Sequence, residues 1–467
     1  MDENILIAMC GIVLLGFNLV CIGRQYYAAC VMLPYLANGI SYGFTSVAGM
    51  SFVWLATFIA IANIIAICLI LFKNNKNITF NLFQFNLALK ALLLCSVIAL
   101  CRVGIGIANI YDDAVDPMTD AMVCVRDVVL PMLTLSLAGV VLGPMRAIRQ
   151  FMTGSYYLCL IWLGFGVAVE LSQGRFFSAS IGDERLTLFG IDSISSSRCL
   201  PIFILASFYL ESTFRKGLSR SLLLGSGLLG AYIGILIATR QHLLAGLFCF
   251  AFTFWLVGRR FWKWFLPMGV IVAVLILVFQ DFSTFILSER LAKETITTDG
   301  RFDIWKKALN LAAEHPLTGV GFGNFGEIEA IYNSETGKVL LVKDYAHGIV
   351  FDLLAEHGIL VGGFWIFAYI AGLSLAIREA SKASTPEFKF AWIALVTLPV
   401  SLLFSGTIWN GTYFWIGLCL AILASYQAGL DRMKSPATTF KLANANSGSS
   451  LGDGVTALMY DTEQRRS

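Results

Sequence analysis

The stretch 4-NILIAMCGIVLLGFNLVCIG-23 is a run of twenty residues without a charged side chain. A helix of about 20 residues is as long as the hydrocarbon core of a bilayer is thick, roughly 30 Å. The acidic MDE precedes this run, and neither a basic flank nor an Ala-x-Ala cleavage site accompanies it. We therefore expect a retained membrane span here, with a signal anchor as the competing interpretation.

Similar runs recur along all 467 residues, of which 57% are hydrophobic and 13% are charged, and the mean hydropathy is +0.76. This composition predicts an all-α fold, namely a polytopic integral membrane bundle of about 12–13 transmembrane helices with a large, partly helical periplasmic loop. The short second span carries Pro34 and Gly39, so we expect it to be tilted or half-crossing. The predicted spans lie near 4–23, 26–42, 50–72, 86–105, 122–143, 156–172, 198–213, 219–238, 243–257, 262–281, 358–377, 387–404 and 411–427.

Basic residues in the short loops predict the orientation, because cytoplasmic loops carry an excess of Lys and Arg. They cluster in every second loop, at Lys73 and Lys76, Arg146 and Arg149, Arg215, Lys216 and Arg220, Arg259, Arg260 and Lys263, and Arg378, Lys382 and Lys389. The loops 173–197, 239–242, 282–346 and 405–410 are then periplasmic. We thus predict a transmembrane bundle over 1–281, a periplasmic loop over 282–346, transmembrane helices over 347–430, and a disordered cytoplasmic tail over 431–467.

Charge and cysteine content argue against several classes of function. The net charge of +3 is too small to suggest a nucleic-acid partner, and the basic residues form no stripe. The eleven cysteines include no CxxC and fall mainly in apolar runs, as expected of packing residues rather than of a disulfide or zinc framework. We therefore expect neither a metal nor a cofactor.

The predicted periplasmic loop contains two informative stretches. In 300-GRFDIWKKALNLAAEHP-316, Phe302, Trp305, Leu309 and Ala312 recur at helical spacing, so we expect an amphipathic helix that His315-Pro316 ends and that lies on the membrane surface or on other spans. The following 315-HPLTGVGFGNFGE-327 predicts a tight turn. It lacks the preceding strand and the Lys-Ser/Thr pair of a nucleotide loop.

Three arginines are predicted on the outer side, namely Arg185, Arg240 and Arg301. Each could reach headgroup phosphates or pair with a carboxylate such as Asp299, which is the structural interpretation. Taken together they favour an anion site, because guanidinium groups bind phosphate oxygens in bidentate fashion. A lipid-linked diphosphate at the bilayer surface suits this location.

His347 stands between the predicted loop and the next span. It can be a structural donor at a helix start, or its neutral imidazole can accept a proton from a sugar hydroxyl while arginines stabilise a departing phosphate. The second interpretation is typical of glycosyl transfer from a lipid diphosphate. Charged residues within earlier spans should instead find partners inside the bundle, namely Lys90, Arg102, Arg126 and Glu170.

The stretch 344-DYAHGIVFDLLAEHGILVGGFW-365 resembles the superfamily of O-antigen ligases and Wzy-type O-antigen and exopolysaccharide polymerases. That family has a histidine, usually followed by Asn, Gln or Ser, then a Glu and Gly-x-x-Gly, and here stand His347, Glu356 and Gly358. Two positions depart from the pattern. Gly348 follows the histidine in place of Asn, Gln or Ser. Val361 stands where the second glycine of Gly-x-x-Gly is common, and Gly362 comes one position later. Upstream matches are Arg240, Arg301, Trp305, Pro316, Gly319 and Gly321, together with Arg185 in ERLTLFGIDS.

The resemblance implies a metal-independent, inverting glycosyltransferase in the bacterial inner membrane, using an undecaprenyl-diphosphate-linked glycan at the periplasmic face. Arg240 and Arg301 would bind the diphosphate, Arg185 would be a third such residue, and His347 would assist the acceptor hydroxyl. Asp352 favours a polymerase, the alternative being a ligase that uses lipid A-core. A transporter is the second alternative, although no internal repeat is found. Expected partners are lipid-linked oligosaccharide or polysaccharide, membrane lipids, a flippase and a chain-length regulator.

Overall fold

In the computed structural model, the described residues are 3–40, 44, 47, 51–73, 86–109, 124–176, 186–190, 199–213, 218–237, 245–246, 248–249, 251–253, 255, 301–321, 325, 328–333, 338–343, 346, 348–404 and 411–434. Seven segments among them are helical, long and apolar enough to cross a membrane. The all-α polytopic fold is thus confirmed. The predicted span 262–281 and the tail beyond residue 434 lie outside the described residues, so the total number of spans stays a prediction.

The helices of the described residues are named α1 to α14 in chain order. They are α1 (Glu3–Gly23), α2 (Leu33–Leu36), α3 (Phe52–Lys73), α4 (Leu87–Asn109), α5 (Leu130–Leu142), α6 (Pro144–Ser172), α7 (Leu200–Thr213), α8 (Leu218–Ile237), α9 (Arg301–Glu314), α10 (Ile349–Gly358), α11 (Phe364–Lys382), α12 (Pro386–Thr397), α13 (Val400–Phe404) and α14 (Thr412–Lys434). Turns of π-helix precede α5 at Val125–Val129 and α11 at Ile359–Gly363.

The bundle is organised around α6, which packs against α1, α5, α7 and α14. A second group forms beside it, in which α4 packs on α11, α11 on α12, and α12 on α14. Trp365 of α11 donates a hydrogen bond from Nε1 to Ser96 Oγ of α4 at 2.9 Å. This contact joins α4 to the start of α11.

Polar contacts at one end of the bundle agree with the predicted alternation of loops. Arg149 near the start of α6 pairs with Glu387 at the start of α12, with 2.7 Å between Nη2 and Oε1. Tyr209 near the end of α7 donates a hydrogen bond to the same Glu387 oxygen at 3.3 Å. The charge pattern predicts all three helix ends on one side of the membrane, and the fold brings them together.

The prediction of a single tilted or half-crossing helix over 26–42 is wrong. The chain forms a 3-10 turn over Tyr27–Cys30, the short α2 over Leu33–Leu36, and a second 3-10 turn over Ala37–Ile40. Irregular backbone at membrane depth is tolerated where protein surrounds it. Here Asn63 of α3 donates a hydrogen bond from Nδ2 to the Tyr27 carbonyl at 3.0 Å.

The loop predicted over 282–346 contains α9 and a β-hairpin within its described residues. The hairpin pairs β1 (Ile328–Asn333) with β2 (Lys338–Lys343) in antiparallel fashion, and Ile328 faces Lys343. The sequence interpretation did not include these strands. The predicted amphipathic helix is confirmed as α9, which ends at Glu314 directly before His315-Pro316, because proline disfavours helical backbone in the residue before it.

Candidate functional site

The candidate site is described through the segments that surround the predicted residues. Arg185, Arg240 and His347 lie outside the described residues, and Arg301 is described only as the first residue of α9. Their side-chain contacts therefore stay predictions. The described neighbours are α9, the turn over 315–321, and α10.

Helix α9 packs side by side with α10, and the two run in the same direction. Near their starts, the Trp305 ring stacks on the Phe351 ring with centroids 4.7 Å apart and planes 13° apart. Farther along, Ala308 and Ala355 are buried in one small cluster, which also contains Phe325 and Ala346. Contacts that advance together along both helices show a parallel pair.

The predicted face of α9 is only partly correct. Ala308 and Ala312 are buried, whereas Phe302 and Leu309 are 52% and 48% exposed. The expectation had placed Phe302 and Leu309 on the same side as Ala312. The small side chains face α10 because they allow close approach of a neighbouring helix. Phe302 and Leu309 are left on the outer side, whereas Trp305 stacks on α10.

The turn after α9 binds the last turn of α10 through main-chain hydrogen bonds. Val320 N–H donates to the Ala355 carbonyl at 2.9 Å, and Gly321 N–H donates to the Glu356 carbonyl at 3.0 Å. These carbonyls belong to the last turn of a helix, which leaves its own carbonyls without intrahelical partners. The turn therefore caps α10.

A tight turn was predicted from the glycines, and it is confirmed at Gly319 and Gly321, whose φ angles are +67° and +90°. At Gly319 a Cβ atom would also lie 2.4 Å from the Glu356 carbonyl carbon and 2.6 Å from the Ala355 oxygen. Only glycine combines this left-handed backbone with such a close approach.

The chain turns back sharply after α10, at the residue where the predicted span over 358–377 begins. Gly358 has a φ of +71°, and a Cβ added to Gly362 would lie 2.5 Å from the Leu353 oxygen. Residues nine positions apart in a continuous α-helix are separated by about 13.5 Å along the axis. Thus α10 is a separate helix, and α11 begins at Phe364 after the π-helical turn.

The π-helical turn gives a structural reason for one departure from the family pattern. A π-helix closes its hydrogen bonds from i to i+5 rather than i to i+4, so it holds one residue more per turn. Gly362, one position later than the pattern places the second glycine, is buried against the Leu353 main chain, whereas Val361 is partly exposed. The shift of the second glycine by one position thus falls within the π-helical turn.

The second departure, Gly348, has a packing reason. It precedes α10 with φ 175° and ψ 125°, which is ordinary extended backbone. A Cβ atom at this position would however lie 2.8 Å from the main-chain oxygen of Leu403 in α13. The Asn, Gln or Ser of the family pattern has no room here unless α13 moves.

The inner face of α10 carries three polar side chains at low exposure: Asp352 at 2%, Glu356 at 4% and His357 at 1%. Asp352 and Glu356 are one helical turn apart on the same face. Neither ring nitrogen of His357 has a hydrogen-bond partner among the described residues. Burial of ionisable groups in a membrane bundle is costly, so such groups are typical of functional sites.

Arg102, Arg126 and Glu170 were predicted to find partners within the bundle, and they do so. Arg102 of α4 donates from Nη1 to the His357 carbonyl at 3.0 Å and from Nη2 to the Thr318 carbonyl. Arg126 pairs with the adjacent Asp127 in the π-helical turn before α5, and Glu170 pairs with Arg175 at 2.7 Å. The sequence indicated that Arg102 had a partner but not that it bound the candidate site.

Within the part of the chain that the structure describes, no three or more His, Cys, Asp or Glu side chains group together as metal ligands would. Comparison with known proteins gives one family. Residues 225–366 match the family model described as O-antigen ligase. No curated protein matches the chain. The matched segment contains Arg240, Arg301 and His347, whereas Arg102 and Arg185 lie outside it.

Proposed function

We propose that this membrane protein, with its O-antigen ligase family segment over 225–366, is a glycosyltransferase of cell-surface polysaccharide biosynthesis. The parallel packing of α9 on α10 carries the proposal. The stacked rings of Trp305 and Phe351 are 46 positions apart in the sequence. Arg301 and His347 are likewise 46 positions apart in the sequence. A predicted phosphate-binding residue, Arg301, thus begins one helix, and the predicted base, His347, stands in the sequence two positions before the other.

The proposed reaction uses these residues as follows. The imidazole of His347 takes the proton of an acceptor hydroxyl, and the acceptor oxygen attacks the anomeric carbon of the donor sugar. The bond from that carbon to the phosphate oxygen breaks, and undecaprenyl diphosphate leaves with the bonding electrons. Arg301 and Arg240 stabilise the charge of the leaving group, with Arg185 as a third contact.

The starts of the two helices add favourable electrostatics to this proposal. Helix N-termini carry a partial positive charge, which suits a diphosphate. Glycine occupies the N-cap position of α10 at Gly348, so the N-cap residue itself has no side chain that could accept from the first turn. The first N–H groups of α10 are therefore not taken up by a side chain of the N-cap residue.

We favour a polysaccharide polymerase, in which the acceptor is a second lipid-linked glycan. Asp352 supports this choice because the resemblance associates an acidic residue at this position with exopolysaccharide polymerases. The second candidate is a ligase that transfers the glycan to lipid A-core, which the description of the matched family favours. The same match favours an enzyme over the transporter alternative.

The proposed location is the periplasmic face of the bacterial inner membrane, with the donor and acceptor lipids as partners. The outer side of α9 supports contact with the membrane interface. Phe302, Leu309 and Leu317 are all about half exposed or more, and Phe364 and Phe367 at the start of α11 are also exposed. A flippase and a chain-length regulator are further proposed partners.

The decisive experiment compares His347→Ala with His315→Ala in a strain lacking the native gene. His315 follows α9, is exposed, and serves as a histidine control of the same substitution type. We expect His347→Ala to abolish the polymer at an unchanged amount of membrane-inserted protein, and His315→Ala to retain it. Unchanged polymer length and quantity in His347→Ala would refute the catalytic role.

The deletion strain itself distinguishes the two acceptors. For a polymerase, the ladder of polymer lengths disappears and single repeat units remain. For a ligase, polymer forms but accumulates on its lipid carrier without joining lipid A-core. Gel profiles of lipopolysaccharide and of the lipid-linked fraction measure both outcomes.

A further inference from the structure

The end of α10 is capped by donors from two distant parts of the chain. Because the helix stops at Gly358, the carbonyls of its last turn need outside donors. Ala355 and Glu356 receive theirs from the turn after α9, as described above. The third carbonyl, that of His357, receives its hydrogen bond from Arg102 of α4.

The same guanidinium also binds the turn itself, through the Thr318 carbonyl. Each of the two carbonyl groups bound by Arg102 belongs to a residue that precedes a glycine with positive φ. Thr318 precedes Gly319, with φ +67°, and His357 precedes Gly358, with φ +71°. These two glycines are in main-chain contact, since a Cβ at Gly358 would lie 2.6 Å from the Gly319 nitrogen. We call Arg102, Thr318-Gly319 and His357-Gly358 the Arg102 joint.

The Arg102 joint is placed to control the position of α9. Among the described elements, α9 packs chiefly on α10. Helix α10 is held at its start by the close approach of Gly348 to Leu403, and at its end by the joint. The hydrogen bond from Arg102 to Thr318 links the turn after α9 directly to the transmembrane bundle. Loss of this bond leaves α9 attached mainly through α10.

We propose that Arg102 is a positioning residue for the transfer reaction, acting from outside the matched segment 225–366. It fixes the ends of α9 and α10 so that the starts of both helices, where Arg301 and His347 stand in the sequence, keep a constant separation. This inference rests on the proposed function. Small displacements of reacting groups lower the rate strongly, so the effect should appear in kcat.

The chemistry at the joint requires arginine. One planar guanidinium reaches two carbonyls through two different nitrogens, and each bond is strengthened by the positive charge. A cation at the C-terminal end of a helix also complements the helix dipole. Lysine keeps the charge but presents it as a single point, and glutamine keeps one donor group without charge.

The test uses the full chain reconstituted in lipid nanodiscs with a lipid-linked glycan donor. Arg102→Gln and Arg102→Lys are compared with Arg149→Gln, which removes an arginine from a helix-end contact at the opposite end of the bundle. Three quantities are measured: kcat and KM per folded protein, the thermal midpoint, and amide hydrogen exchange over 315–321 and 355–359.

We expect Arg102→Gln to speed exchange in both segments and to lower kcat, each by roughly tenfold or more, since two charge-assisted hydrogen bonds are lost. Arg102→Lys should lie between it and the native protein. Arg149→Gln should leave kcat and exchange in these segments unchanged. If Arg102 only stabilises the fold, the amount of folded protein falls while kcat per folded molecule stays constant, and the inference is then wrong.

Exchange rates in Arg102→Gln equal to those of the native protein over 315–321 and 355–359 would also overturn the inference. If the glutamine variant does not fold, the same comparison is made with Arg102→Lys. Failure of the proposed function is recognised separately. In that case His347→Ala retains full activity, while the exchange rates of the Arg102 variants still report on the joint.

Discussion

Replacing Gly319 by alanine tests whether the turn after α9 holds the candidate site together. The native φ of +67° is left-handed, and an alanine there costs about 1–2 kcal/mol. Its Cβ would lie 2.4 Å from the Glu356 carbonyl carbon, so the turn must move away from α10. The movement breaks the bonds from Val320 and Gly321, each contributing about 0.5–1.5 kcal/mol.

The sum is about 2–5 kcal/mol of local destabilisation, confined to the contact between the turn and α10. A local effect of this size raises hydrogen exchange over 315–321 and 355–359 by at least about tenfold without unfolding the bundle. Polymer synthesis should fall with it, because α9 loses its attachment at the end of α10. Exchange by mass spectrometry and polymer gels on the same preparation measure both effects.

Gly164→Ala is the matched control for this substitution. Gly164 lies within α6, and a Cβ atom added there meets no atom within 4 Å. Alanine in a helix is favoured over glycine, so this variant should be as stable as the native protein or slightly more so. Native exchange and native polymer in Gly319→Ala would refute the reasoning, because they would show that the turn does not depend on this close contact.

Three further substitutions test neighbouring contacts. Gly348→Asn introduces the residue common in the family, yet it should lower polymer yield, because its Cβ would lie 2.8 Å from the Leu403 oxygen. Trp305→Ala removes the ring stacked on Phe351 and should loosen α9 by about 1 kcal/mol, measured as faster exchange over 301–314. Asp352→Asn keeps the size of a side chain that is 2% exposed, and should reduce chain length on gels if this carboxylate serves the acceptor.

Matched controls accompany these variants. Phe302→Ala removes an aromatic side chain from the exposed side of α9, and it should speed exchange in the helix less than Trp305→Ala does. Asp303→Asn makes the same chemical change as Asp352→Asn at an exposed position, and native chain length is expected. Equal effects in a variant and its control would show that the buried contact is not responsible.

The transmembrane bundle could be predicted from sequence because its signal is length and hydropathy. A run such as Phe52–Lys73 is long enough to cross a bilayer and carries one charge, at its end. The alternation of basic loops also anticipates which helix ends meet, as Arg149, Tyr209 and Glu387 do. Such signals are local, so they need no knowledge of tertiary contacts.

The predicted span over 358–377 begins at the break between α10 and α11, but the reversal of the chain there could not be predicted in this way. The stretch from Ile349 to Lys382 has a mean hydropathy high enough for one span, because averaging does not register a change in backbone direction. The break depends on the left-handed conformation of Gly358 and on the contact between Gly362 and Leu353. The glycines were visible in the sequence, but their effect is tertiary.

The outer face of α9 was misassigned for a related reason. Hydrophobicity alone does not distinguish a side chain that faces protein from one that faces lipid. Ala308 and Ala312 turn towards α10, where two helices approach closely, while Phe302 and Leu309 remain on the outside. The periodic pattern therefore predicted the correct helix but not which of its apolar side chains face α10.

The two departures from the family pattern now bear differently on the choice of acceptor. Gly348 and Gly362 both lie where main chain meets main chain, so packing against Leu403 and Leu353 is sufficient to select glycine at each position. Neither glycine then carries information about the sugar that receives the glycan. The buried carboxylates of Asp352 and Glu356 have no such packing reason, since burying a charge is unfavourable by itself. They are the positions at which a change of acceptor should first be sought.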